Sequence, residues 1–86
     1  YMVEGKQTGE VSLVTPDGKP YVTVEFDMPM FAVWSPEGKN APFVCIEPWC
    51  GRCDEVGYDG TLEERAYGNQ IEPGEVFEKA YQIKFF

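Results

Sequence analysis

Residues 9–26, GEVSLVTPDGKPYVTVEF, decide the fold class of this chain. Val11 and Leu13 alternate with polar neighbours, and the same alternation recurs in residues 21–26. A period of two is typical of β-strands that bury one face. Residues 15–20, TPDGKP, carry Pro, Asp and Gly in the order that a tight turn requires. The stretch therefore predicts an antiparallel hairpin.

Further apolar segments follow the hairpin. Residues 30–35, MFAVWS, are a short apolar run before a turn. Residues 42–47, PFVCIE, are rich enough in β-branched side chains to predict a strand. Pro48 cannot donate to a ladder, so we expect strand pairing to weaken there. Residues 74–86, GEVFEKAYQIKFF, alternate throughout and predict a long closing strand.

No other regular element is indicated. Residues 48–72 show no clear period and predict a long loop, with at most one helical turn in residues 61–67, TLEERAY. Strands separated by turns, without a long helix, predict an all-β fold with antiparallel sheets packed as a sandwich.

Composition restricts the class of protein. Eighty-six residues, 43% hydrophobic and 15% aromatic, indicate one small globular domain spanning residues 1–86. The formal charge of −8 argues against nucleic acids and anionic membranes as partners, because phosphates repel such a surface. No segment is long and apolar enough to cross a bilayer. The three cysteines are an odd number for a disulfide scaffold, which favours a reducing, cytoplasmic location.

Glu47 is the first candidate for chemistry. It ends the apolar segment 42–47, and alternation places it on one face with Phe43 and Cys45, next to Trp49 along the chain. A carboxylate partly removed from water can act as a general acid or base. The alternative is that Glu47 simply ends a strand and points into water, as most such carboxylates do. The chain has no histidine, which removes the commonest acid–base group.

Two further clusters have ordinary explanations. The three cysteines are spaced C-x4-C-x2-C, which suits a metal site or a redox pair, but neither a second pair nor a histidine completes a zinc set. Buried free thiols are the simpler interpretation. Asp54, Glu55 and Asp59 could bind calcium, although the EF-hand spacing is absent. A solvated acidic loop is the simpler interpretation here.

The two tryptophans, together with the acidic loop, suit a sugar. Aromatic faces stack on pyranose C–H groups, and carboxylates accept hydrogen bonds from hydroxyls. The alternative is that both rings belong to the core. We expect Trp34, inside an apolar run, to be a core residue, whereas Trp49 fits either interpretation.

Several short motifs occur in an order that resembles a known family. They are Trp34-Ser35-Pro36, PFVCIEPW at residues 42–49, Gly51, Asp54, and PGEVF at residues 73–77. From about Gly9 onward, the chain is similar to the C-terminal part of the aldose 1-epimerase (galactose mutarotase-like) superfamily. The bacterial aldose epimerase-related proteins are the branch that it resembles most.

The resemblance implies a fold, an activity and a site. The fold would be part of a large antiparallel β-supersandwich, and the activity would be interconversion of the anomers of an aldohexose. Glu47 would be the general base on the C1 hydroxyl, Trp49 and Asp54 would line the sugar pocket, and proton transfer would need no cofactor or metal. The family's acid histidine lies upstream, so this chain would be a C-terminal fragment with little or no activity of its own. A non-catalytic carbohydrate-binding β module is the alternative. An incomplete sandwich would also leave open sheet edges that favour self-association.

Overall fold

The computed structural model describes residues 1–86 as six β-strands without a helix. The strands form two antiparallel sheets of three strands each, in the orders β1-β4-β5 and β2-β3-β6. Their bounds are β1 Met2–Val3, β2 Glu10–Val14, β3 Pro20–Phe26, β4 Met30–Trp34, β5 Cys45–Trp49 and β6 Tyr81–Phe85. The prediction of an all-β antiparallel fold is confirmed.

The predicted hairpin is β2 and β3. Its turn is closed by hydrogen bonds from the amide of Thr15 to the carbonyl of Lys19 and from the amide of Gly18 to the carbonyl of Thr15, both 2.8 Å long. Gly18 has φ of +85°, a conformation that residues with a Cβ atom rarely adopt. The turn chemistry visible in the sequence therefore sets the register of this hairpin.

The strand predicted for residues 42–47 is shifted. β5 begins at Cys45, because its partner β4 ends at Trp34, which lies opposite Cys45. β5 also continues through Pro48, where we expected strand pairing to weaken. Pro48 lies opposite Phe31 within the ladder. β5 is an edge strand, so the missing N–H of Pro48 costs no hydrogen bond when it faces outward.

The closing strand is shorter than predicted. Only Tyr81–Phe85 form β6, although residues 74–86 alternate in sequence. Tyr81 lies opposite Phe26, the last residue of β3, and the chain turns after Phe26 toward β4. The residues before Tyr81 therefore have no neighbouring strand to pair with, and alternation alone cannot form a strand.

Residues 50–72, which follow β5, have no regular structure, as predicted. In residues 61–68 three backbone bonds span three residues, such as the one from the amide of Glu64 to the carbonyl of Thr61 at 3.2 Å. These bonds form turns and do not continue into a helix. The segment is anchored at its start, where Arg65 pairs with Asp54 and donates from Nη2 to the carbonyl of Arg52 at 2.9 Å.

The core lies between the two sheets. It is a cluster of four buried side chains, Val24, Phe26, Met28 and Phe31. The rings of Phe26 and Phe31, one from each sheet, are tilted by 53° with their centroids 5.6 Å apart. Half-buried side chains from both sheets surround this cluster: Val3, Val11, Val33, Ile46 and Cys50. The core thereby fixes which face of each sheet is turned inward.

β1 was not foreseen from the sequence. Its two residues, Met2 and Val3, pair with Ala32 and Phe31 of β4, and two residues are too few to show a period. No helix of the chain has the length and apolar character needed to cross a membrane.

Candidate functional site

The sheet β1-β4-β5 turns one face away from the core. Ala32 lies opposite Glu47, and Met30 lies opposite Trp49. Because alternate residues of a strand share a face, Glu47 and Trp49 point to the same side of β5. Ile46, the residue before Glu47, packs against the core cluster on the other side. The outward face of this sheet therefore carries Glu47.

Glu47 lies in a cleft on this outward face. The cleft has a volume of about 480 Å³ and is lined by six residues: Tyr1, Met2, Ala32, Trp34, Glu47 and Trp49. Buried Ala32 forms its floor, where a side chain larger than a methyl group would fill the space. Glu47 has the only charged side chain of the lining. The site therefore consists of one carboxylate among aromatic and aliphatic side chains.

The carboxylate of Glu47 is held in place by its neighbour two residues along the strand. Nε1 of Trp49 donates a hydrogen bond to Oε2 of Glu47 at 3.1 Å. Both side chains are half-buried. Oε1 and the remaining lone pairs of Oε2 stay available, since an ionised carboxylate accepts about four hydrogen bonds. Glu47 therefore does not simply point into water at a strand end, as the simpler interpretation required.

Trp34 is not a core residue, contrary to our expectation. It is 49% exposed and lines the cleft at the end of β4. Its ring packs against that of Phe43, with centroids 6.1 Å apart and planes tilted by 47°. The apolar run around Trp34 suggested burial, but alternation places Val33 inward and Trp34 outward. The cleft thus has an indole from each of two adjacent strands.

Asp54 lies elsewhere. Its carboxylate forms an ion pair with Arg65, in a separate depression of about 250 Å³ that also includes Arg52 and Tyr58. Asp54 does not line the cleft that contains Glu47 and Trp49. Of the three candidate residues from the sequence, the structure brings together Glu47 and Trp49 and separates Asp54 from them.

The cysteines and loop acids form no metal centre. No group of three or more Cys, Asp or Glu side chains is placed to bind a metal ion. All three thiols are free, with Cys45 and Cys50 half-buried and Cys53 exposed. Cys50 packs against the core cluster as a small hydrophobic side chain does.

Three residues of the cleft were missed from the sequence, namely Tyr1, Met2 and Ala32. Ala32 is placed opposite Glu47 by the register of β4 and β5, and Met2 is placed opposite Ala32 by the pairing of β1 with β4. Both are consequences of non-local strand pairing. No local motif marks these residues, so sequence reasoning had no signal for them.

Comparisons with known proteins identify no relative of this chain. No protein-family model, no curated protein and no solved structure matches it. The similarity of its motifs to aldose 1-epimerases therefore stays a prediction.

Proposed function

We propose that this chain is the C-terminal portion of an aldose 1-epimerase-like isomerase, with an aldohexose as its small-molecule partner and Glu47 as general base. One observation carries the proposal: Glu47 has the only charged side chain of an aromatic cleft, and the indole of Trp49 orients its carboxylate. The motif PFVCIEPW, on which the resemblance depends, contains both residues.

A pyranose suits the two kinds of surface in the cleft. Its C–H faces are apolar and pack on indole rings such as those of Trp34 and Trp49. Its hydroxyls are donors, and the free oxygen of Glu47 is an acceptor. A site of this type binds weakly when it is shallow, because much of the ligand remains in water. The cleft therefore supports a hexose as ligand better than a nucleotide, whose phosphates the carboxylate would repel.

Anomer exchange needs two proton transfers, and Glu47 would carry out one of them. As base, its carboxylate takes the proton of the C1 hydroxyl while the bond between C1 and the ring oxygen breaks. The ring oxygen then needs a proton from an acid on the other side of the sugar. Among the side chains of the cleft only the phenol of Tyr1 is a further proton donor besides the indoles. Tyr1 is 89% exposed, and its hydrogen bonds to Val33 are made by the backbone and not by the phenol.

We therefore propose that the 86 residues bind a hexose but turn it over slowly or not at all. Loss of one of two cooperating acid–base groups typically costs about 10²–10⁴-fold in rate. Neither a metal nor an organic cofactor is required, since proton transfer alone interconverts anomers. The odd number of cysteines supports a cytoplasmic location for the protein.

A non-catalytic carbohydrate-binding β module is the second candidate. The lone carboxylate favours it, because sugar binding needs the indoles and one acceptor but no proton relay. Both candidates use the same cleft, so they differ only in whether the anomers exchange faster with the protein present.

The test is a titration of ¹⁵N-labelled protein with glucose and galactose, read on the indole N–H signals of Trp34 and Trp49. We expect both signals to shift, and a Glu47→Gln variant to bind more weakly. A sugar alcohol without a ring is the ligand control. The proposal is wrong if neither indole responds to either hexose.

Exchange of freshly dissolved α-glucose, followed by polarimetry, separates the two candidates. Acceleration that disappears in Glu47→Gln supports an isomerase, and binding without acceleration supports the module. The same comparison on a longer protein containing these residues tests the role of Glu47 in the intact enzyme.

A further inference from the structure

Three carboxylates of the chain are half-buried: those of Glu4, Glu25 and Glu47. Glu4 forms an ion pair with Arg52, and Glu25 forms one with Lys84 at 2.6 Å. Glu47 forms none, and its hydrogen bond within the chain comes from the uncharged indole of Trp49. Because a charge that is partly removed from water is stabilised by an opposite charge nearby, Glu47 is the half-buried carboxylate whose counter-charge the chain does not provide.

No basic side chain lines the cleft around Glu47. The lining contains neither lysine nor arginine. The backbone nitrogen of Tyr1 donates to the carbonyl of Val33 at 3.0 Å, and no hydrogen bond joins it to Glu47. Under the proposed function the free oxygen of Glu47 acts on the ligand as a base. A counter-charge at this oxygen therefore has to be carried by the ligand itself.

Indole rings stand on both sides of Glu47 along the strand direction. Glu47 lies opposite Ala32 in the antiparallel pair of β4 and β5. Trp34 comes two residues after Ala32 in one direction, and Trp49 comes two residues after Glu47 in the other. The face of an indole attracts a cation within about 6 Å of its centre. A ligand bound over Ala32 therefore meets a carboxylate and two rings that all favour positive charge.

We propose that the hexose of this cleft is a protonated amino sugar, a 2-amino-2-deoxyhexose, an inference that rests on the proposed function. Its C–H faces pack on the indoles as those of any pyranose do. Its ammonium group donates a charge-assisted hydrogen bond to the free oxygen of Glu47. The amine and the C1 hydroxyl are on neighbouring carbons, so one carboxylate can accept a hydrogen bond from both.

The charge of the whole chain favours the same class of ligand. A net charge of −8 raises the local concentration of cations and lowers that of anions. Sugar phosphates and uronic acids would bring a second negative charge to Glu47 and would find no basic side chain in the cleft. The cleft therefore ranks a cationic hexose above a neutral one, and a neutral hexose above an anionic one.

Titration of ¹⁵N-labelled protein with three sugars tests the proposal, read on the indole N–H signals of Trp34 and Trp49. The sugars are glucosamine, N-acetylglucosamine and glucose, at about pH 6, where an amine with a pKa close to that of an α-amino group is protonated. N-acetylglucosamine keeps a substituent on the same carbon without its charge. We expect glucosamine to bind about 10-fold more tightly than the other two, as one charge-assisted hydrogen bond with a cation–π contact can provide.

Removal of one carboxylate at a time separates the cleft from the overall charge. Glu47→Gln should reduce the preference for glucosamine over glucose to within about twofold, because a neutral amide makes no ion pair. Asp59→Asn is the matched control, since it changes the net charge equally in an exposed loop outside the cleft, and it should leave the preference unchanged. In the wild-type protein, raising the salt concentration from about 20 mM to about 500 mM should weaken binding of glucosamine several-fold and leave binding of glucose unchanged.

Failure of the amino-sugar assignment differs from failure of the proposed function. If glucosamine and glucose bind equally tightly, the assignment is overturned and the proposed function stands. If neither indole responds to any of the three sugars, both are overturned. A preference for glucosamine that survives Glu47→Gln also overturns the assignment, because another group would then bind the ammonium. The same titration on a longer protein containing these residues should keep the preference, and its loss there would mean that the rest of the polypeptide supplies the cation to Glu47.

Discussion

Nε1 of Trp49 lies 3.1 Å from Oε2 of Glu47, on the same face of an edge strand. Pro48 stands between them and faces Phe31 across the ladder. The two side chains are thus held parallel by strand geometry, and the hydrogen bond fixes one carboxylate oxygen while leaving the other free. The pair behaves as one unit, in which the ring shapes the cleft and orients the acceptor.

Glu47→Gln should leave the fold intact. The amide oxygen of glutamine still accepts from the indole, so we expect the free energy of unfolding to change by less than about 1 kcal/mol. Trp49→Phe removes the donor and part of a half-buried ring, and it should cost about 1–2 kcal/mol. Urea denaturation of both variants measures the difference. Equal losses would mean that the ring contributes no more to stability than the carboxylate does.

Phe43→Ala should cost only about 1 kcal/mol, because the ring is 51% exposed and loses mainly its contact with Trp34. A core position for Phe43 would have implied the larger loss of a buried ring. Phe26→Ala is the matched comparison, since Phe26 is buried in the core and packs on Phe31. It should cost about 3–5 kcal/mol. Similar midpoints for the two variants in urea would contradict this placement of the rings.

Stability should fall in acid partly through Asp27. The hydrogen bond and the positive charge of Lys6, with a smaller contribution from Lys79, hold the pKa of Asp27 below its usual value. Its contribution is therefore fully present above the unfolded pKa of about 3.9 and is lost as pH falls through the lower folded pKa. Asp27→Asn should flatten the pH dependence of unfolding in that window.

Asp59→Asn is the control for this experiment, because Asp59 is an exposed loop carboxylate without an ion pair. It should leave the slope between about pH 4 and 2 closer to that of the wild type. The role given to Lys6 and Asp27 fails if both variants change the slope equally. The effect itself is small, since the pair is exposed to solvent and screened by salt.

Gly18→Ala should destabilise the hairpin of β2 and β3. Gly18 has φ of +85°, and an added Cβ meets no atom, so the cost comes from backbone conformation alone and amounts to about 1 kcal/mol. Gly9→Ala is the control, because Gly9 has an ordinary φ and its added Cβ would make a normal contact of 3.5 Å with the carbonyl of Phe26. If the thermal midpoint shifts equally in both variants, the positive φ of Gly18 is not the cause of the destabilisation.

The hairpin and the fold class followed from the sequence because their determinants are local. Alternation in residues 9–26 and the Pro-Asp-Gly turn act between neighbours, and neighbours are what a sequence displays. Glu47 and Trp49 could be chosen for the same reason, since they lie two residues apart on one strand. The bounds of β5 and β6 were wrong because a strand ends where its partner ends, and the partner is distant in sequence.

The sequence by itself determined an all-β antiparallel chain with a carboxylate beside an indole. Only the tertiary structure decided that Trp34 lies outside the core, that Asp54 pairs with Arg65 away from the cleft, and that Ala32 forms its floor. These outcomes depend on strand register and on the order of strands in each sheet. A shift of one residue would turn every side chain to the other face, and that choice is made by burial of the core between the two sheets.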